Sequence, residues 1–99
     1  MIVVAGYIDV APEAAERLHE AAKVMMAETR KEAGCRVYDM TADLEVPGRL
    51  HIYEEWESLG HLGAHAKAPH MGDWRKKLGE MGVLTRNVRR YEGGEPTPL

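Results

Sequence analysis

The pattern of this 99-residue chain predicts an α+β domain of the ferredoxin-like βαββαβ order, and three observations carry that prediction. Four strand-like segments are legible. Helix-period stripes separate the first from the second and the third from the fourth, while a turn sequence joins the middle two directly.

The elements follow in order. Ile2 to Val10 is apolar on both alternating faces, with Ile2, Val4, Ile8 and Val10 on one and Val3, Ala5 and Tyr7 on the other, which predicts a central strand. Pro12 suits the first position of a helix whose stripe is Ala14, Leu18, Ala21, Ala22, Met25 and Thr29, and Gly34 is the expected left-handed stop. Cys35 to Leu44 and Arg49 to Glu57 read as a hairpin around Glu45-Val-Pro-Gly48. Ser58 is an N-cap for a helix expected to turn Leu59, Leu62 and Ala66 inward; Pro69 interrupts it, and a second segment runs to about Met81. Val83 to Tyr91 is the last strand. The domain is therefore expected over 1–92, with 93–99 a Gly/Pro-rich, flexible tail.

Helices in this order cover one sheet face only. The first strand is apolar on both sides, and an open apolar face is a large hydrophobic patch, so two sheets are expected to pack face to face in a homodimeric α/β barrel.

Composition narrows the function classes. A 44% apolar content and a net charge of −3 describe one globular domain without the basic excess of a nucleic-acid binder. No apolar run approaches the ~20 residues that span a bilayer, and the first residues lack signal-peptide character, so no membrane partner and a cytoplasmic location are expected. A single cysteine, Cys35, agrees with a reducing compartment.

The run His51-Ile-Tyr-Glu-Glu-Trp-Glu-Ser-Leu-Gly-His-Leu-Gly-Ala-His-Ala-Lys-Ala-Pro-His-Met71 resembles the antibiotic biosynthesis monooxygenase domain family. The resemblance extends through Glu28-Thr-Arg-Lys-Glu-Ala-Gly-Cys35, Tyr38-Asp39 and the turn Asp43 to Arg49. It implies the same dimeric barrel and a monooxygenase that oxidises a small electron-rich aromatic, a hydroquinone or polyketide phenol, with dioxygen and no cofactor. In relatives that oxidise aromatic polyketides, a Trp at the position of Trp56 lines a pocket; the Asn and Tyr that accompany it fall at Ile52 and Leu62 here. The haem-degrading branch uses an Asn, a Trp and a His at positions occupied here by Tyr7, His65 and Arg75, so no cofactor is expected and a haem-binding or haem-degrading protein is the least favoured reading, kept open only by the histidine cluster with His70. The missing Asn and Tyr leave a second class open, a non-catalytic module that holds a small aromatic.

The candidate residues follow from both readings. His65, at the edge of the inward helix face, is the first choice for a general base and His70 the second, because an unperturbed imidazole titrates near neutrality. His61 is expected on the opposite side. Trp56 is ordinary core on burial habits and a pocket wall by resemblance. Tyr7, Tyr53 and Trp74 offer ring faces, and Ile52 and Leu62 complete the expected pocket. His61 and His65, four apart, match no metal-ligand motif, so no metal is expected. Glu54 and Glu55 are adjacent on a strand and point to opposite faces, which rules out a paired carboxylate site.

Overall fold

The computed structural model describes residues 1–99. Strand β1 spans Ile2–Val10, a single 3-10 turn Pro12–Ala14 leads into α1 at Ala15–Thr29, and β2 (Cys35–Ala42) and β3 (Arg49–Trp56) follow. Two helices then occur where one interrupted helix is expected, α2 at Leu59–Ala66 and α3 at Pro69–Met81, before β4 at Val83–Glu92. The break has a local cause. Ala68 precedes a proline and is held extended at ψ 145°, so the helical path cannot pass through it.

The sheet is antiparallel throughout, in the order β2-β3-β1-β4, which is the ferredoxin-like topology. Its register pairs Ile2 with Trp56 and Ile8 with Leu50 across β1 and β3, and Tyr38 with Glu54 and Met40 with Ile52 across β2 and β3. These residues share the face covered by the helices. There Ile2, Ile8 and Val10 meet the α1 stripe Ala14, Leu18, Ala21, Ala22 and Met25, together with Trp74 and Leu78 of α3, in one core. The α1 stripe read from helical spacing is thus the buried one, Thr29 included.

The inward face of α2 differs from its expected composition. Leu59 is 46% exposed and Ala66 is exposed, whereas His65 is buried. Eight residues make barely two turns, and the face is set by how α2 leans on β3 and α3, not by where its apolar residues happen to fall. Ser58 is the N-cap, with its Oγ accepting from the His61 backbone N–H at 3.2 Å.

Gly34 is not the residue that ends α1. The helix closes at Arg30, and Gly34 lies four residues further on at the entrance to β2, with φ +80°. A Cβ there would overlap the His61 ring, and the Gly34 carbonyl accepts from Glu57 N–H at 2.9 Å. The left-handed φ and the overlap with His61 both require glycine.

The opposite face of the sheet carries no helix. It presents Val3, Ala5, Tyr7 and Asp9 of β1, Arg49, His51, Tyr53 and Glu55 of β3, and Tyr91 of β4. Polar pairs stitch it together: Arg49 and Asp9 form a two-bond pair at 2.8 and 3.0 Å, the Arg49 guanidinium lies 3.9 Å over the Tyr7 ring, and Tyr53 donates to Glu55 at 2.6 Å. Residues 93–99 form no helix or strand; the N-terminal ammonium donates to Gly93 O at 2.8 Å, and Arg36 pairs with Glu95. No helix is long and apolar enough to cross a membrane.

Substituting Gly34→Ala is expected to destabilise the fold by about 1–3 kcal/mol, since it combines a strained backbone with an overlap against His61. Urea denaturation followed by far-UV dichroism measures this; an unchanged midpoint would refute the close packing of the two residues.

Candidate active site

The site begins with a turn, a helix end and a helix start. Glu32 lies between α1 and β2, His65 in the last turn of α2 and His70 in the first turn of α3. A single carboxylate oxygen, Glu32 Oε2, stands 2.7 Å from His65 Nδ1 and 2.8 Å from His70 Nε2. Arg75 of α3 donates to the Ala66 carbonyl at 2.7 Å, tying the two helices together across the Pro69 break.

His65 is 3% exposed. Its ring lies 4.8 Å from the Trp56 ring at 31°, and the Tyr38 ring meets it edge-on at 5.4 Å. With Nδ1 on Glu32, the nitrogen left without a protein partner is Nε2. Burial is the larger influence on this imidazole and holds its pKa below the ordinary histidine value, against the opposing pull of the Glu32 carboxylate. A neutral ring donating Nδ1–H to Glu32 keeps the Nε2 lone pair available.

A cavity of about 230 Å³ opens between the sheet and the helices. Its wall includes Ile52 and Glu54 of β3, Leu62 and His65 of α2, Trp74 of α3 and Arg86 of β4. Four of the residues expected at a site, Ile52, Leu62, His65 and Trp74, therefore converge. A larger groove of about 350 Å³ between α1 and α3 is rimmed by Arg17, Glu20, Lys77 and Glu80, a solvated ionic surface without a base or nucleophile held in place.

Four expected residues are placed elsewhere. Tyr7 is on the far face of the sheet, because Ile8 and Val10 occupy the inward phase of β1 and strand alternation sends Tyr7 outward; Tyr53 shares that fate. Trp56 is wholly buried and does not reach the cavity, so its pocket-wall assignment is corrected: it backs the site, donating Nε1–H to Glu54 at 2.8 Å and stacking on His65. His70 stands behind His65, on the Glu32 side, and borders a separate crevice with Met25, Asp73 and Trp74. His61 lies against Gly34 and Ser58, away from the cavity as expected.

Glu54, Glu32, Tyr38 and Arg86 complete the arrangement without having been anticipated. Glu54 carried a usable signal. It takes an inward phase of β3 between Ile52 and Trp56, where a charge must find a buried partner. It is 7% exposed, and burial pushes its pKa up to about 7, with the Trp56 hydrogen bond opposing and the Glu32 charge reinforcing the shift. Burial likewise raises the Tyr38 phenol. Glu32 carried no signal, since 33 residues separate it from His65. Atoms able to ligate a metal on Glu32, His65 and His70 all lie within 4.8 Å of one another.

Fold and site together define a ferredoxin-like domain with a carboxylate–imidazole dyad whose buried histidine lines a small, mostly apolar cavity. Residues 1–77 match the model of the antibiotic biosynthesis monooxygenase family, and the chain belongs to that family. It is 35% identical over 77 residues to a Mycobacterium tuberculosis protein named "Putative monooxygenase Rv0793", covering 78% of this chain and 73% of that one. It is 32% identical over 72 residues to the Escherichia coli protein named "Probable quinol monooxygenase YgiN", covering 65% of this chain and 68% of that one. Among solved structures, a Deinococcus radiodurans protein titled as a "putative antibiotic biosynthesis monooxygenase" superposes with a TM-score of 0.92 at 28% identity, over 100% of this chain and 98% of that one. The Rv0793 structure gives 0.84 at 26% identity over 98% of each.

The Glu54 carboxyl has a consequence for stability. Between about pH 4.5 and 7 the folded protein retains a proton that the unfolded chain has released, so this group makes stability fall as pH rises through that window and level off above it, by roughly 3 kcal/mol in all. Glu54→Gln can still accept from Trp56 and does not titrate. Its stability relative to wild type is expected to rise across the same window in urea melts at stepped pH, and parallel curves would show that Glu54 is not held protonated.

Proposed function

We propose that this protein is a cofactor-independent monooxygenase for a small electron-rich aromatic, a hydroquinone or simple phenol, with His65 as general base. The observation that carries the proposal is the dyad: His65 Nδ1 bound to Glu32 leaves Nε2 as the free nitrogen of a ring on the cavity wall. Membership of a monooxygenase family supplies the reaction class. The relative named as a quinol monooxygenase supports a quinol substrate.

His65 takes a phenolic proton, assisted by Glu32, whose carboxylate fixes the tautomer and stabilises the imidazolium that forms. The ring anion passes one electron to dioxygen, and the radical pair joins at a ring carbon as a peroxide. Loss of water leaves one oxygen atom on the ring as a new carbonyl; both departing hydrogens end in that water, so no outside reductant is consumed. The residues that orient the ring are Ile52, Leu62 and Trp74. Size favours the smaller substrates. The cavity falls below the ~300–1,000 Å³ of drug-sized sites and suits one or two fused rings better than a four-ring polyketide.

The proposal includes assembly as a homodimer through the helix-free sheet face, where Val3, Ala5, Tyr7, Tyr53 and Tyr91 offer apolar surface that a second copy would cover. The setting it implies is the cytoplasm, where quinols and phenols remain reduced.

Chelator-treated protein is expected to take up oxygen with a reduced naphthoquinone faster than buffer does. His65→Ala should lower that rate by roughly 100-fold or more, the usual contribution of a positioned base, while His61→Ala, on the same helix and outside the cavity, retains it. Substrate binding without oxygen uptake in wild type would replace the enzyme with a binding module. Sedimentation equilibrium at micromolar concentration should give twice the chain mass; a monodisperse monomer would remove the dimer.

A further inference from the structure

Besides holding the base, the Glu32 cluster has the composition of a metal site. Two imidazole nitrogens and a carboxylate oxygen from three separate segments converge within 4.8 Å, and the innermost ligand, His65, is 97% buried by virtue of being only 3% exposed. We infer that Glu32 Oε2, His65 Nδ1 and His70 Nε2 form a binding site for a divalent first-row cation of the zinc class, and that an ion bound there silences the His65 base. The second half rests on the base reading above; the first does not.

The donor set selects the ion. Two imidazoles and a single carboxylate suit zinc and its first-row neighbours and disfavour calcium and magnesium, which need more oxygen ligands. Two movements are required. An ion about 2.0–2.1 Å from each donor sets tetrahedral ligand atoms roughly 3.3 Å apart, so Glu32 Oε2 must draw back by about half an ångström from each nitrogen. The two imidazole nitrogens, set within 4.8 Å of each other, must also close to about 3.3 Å by rotation of the His70 side chain. Glu32 sits in a turn, and its side chain and that of His70 are each 18% exposed, which gives the ion an approach from solvent and leaves room for water as a fourth ligand.

The position of the ion decides its effect. The cavity is lined by His65 but by neither Glu32 nor His70, so the cation would lie behind the imidazole, out of reach of a substrate in the cavity. To ligate through Nδ1, the neutral His65 ring must carry its proton on Nε2. No proton is lost; it moves to the other nitrogen, and the lone pair that would accept from a phenol is gone. The same Nδ1 can donate to Glu32 or bind the metal, not both, so the dyad and the metal site exclude each other.

Equilibrium dialysis of chelator-stripped protein against zinc chloride tests the site without any substrate. One zinc per chain is expected, weakened roughly tenfold or more in both Glu32→Gln and His70→Ala, since removing a ligand should cost at least as much as removing a group that merely supports one. Dichroism melts verify that both variants are folded, and proton–nitrogen spectra of the His65 ring should report the Nε2–H form when zinc is added. No stoichiometric zinc on folded wild type, or binding unchanged in both variants, would overturn the site. Oxygen uptake with a quinol should stop at saturating zinc and return with chelator; uptake that continues with the site filled would overturn the silencing. Zinc binding in a wild type that oxidises no quinol or phenol would leave the site standing and remove the base reading instead.

Discussion

The architecture of the candidate site depends on one carboxylate accepting from two histidines. Burying an imidazole costs free energy unless its polar atoms are paired, and His65 is only 3% exposed. Glu32 satisfies it from the turn after α1, and the same oxygen reaches His70 at the start of α3. Three segments distant in sequence are thereby held in one geometry. The Pro69 break serves this arrangement, because a continuous helix would carry His70 along the axis and away from Glu32.

Trp56 supports the site from behind. Its ring closes one side of His65 while its N–H holds Glu54 on the cavity wall, so a single core residue positions two groups of opposite tendency. Burial works on both in the direction of neutrality, lowering the histidine and raising the carboxyl. A small cavity with a buried imidazole and a carboxyl poised near pH 7 is suited to the proton transfer proposed above.

The two faces of the sheet have different roles. The inner face is divided between core and cavity; the outer face carries ion pairs, a cation over Tyr7 and scattered aromatics. Its mixed character fits an interface with polar registration more closely than a uniform apolar core. A β1 strand that is half-buried on this side, with no element of its own chain above it, is the feature on which the proposed dimer rests.

Much of the fold was legible in the residues themselves, because strand alternation, the α1 stripe, the hairpin turn and the Pro69 break are short-range signals that each segment expresses alone. The site was legible in part. Ile52, Leu62, His65 and Trp74, to which inward phase, spacing and a family resemblance pointed, do line the cavity. Tyr7 and Trp56 were misplaced because alternation tells which residues share a face but not which face meets a cavity or how deeply a ring sinks below it. Glu54 could have been read from its inward phase. Glu32 could not: its partnership with His65 and His70 spans more than thirty residues and exists only once α1, α2 and α3 pack on the sheet, since a hydrogen bond requires atoms within about 3 Å and a one-dimensional pattern holds no such distance.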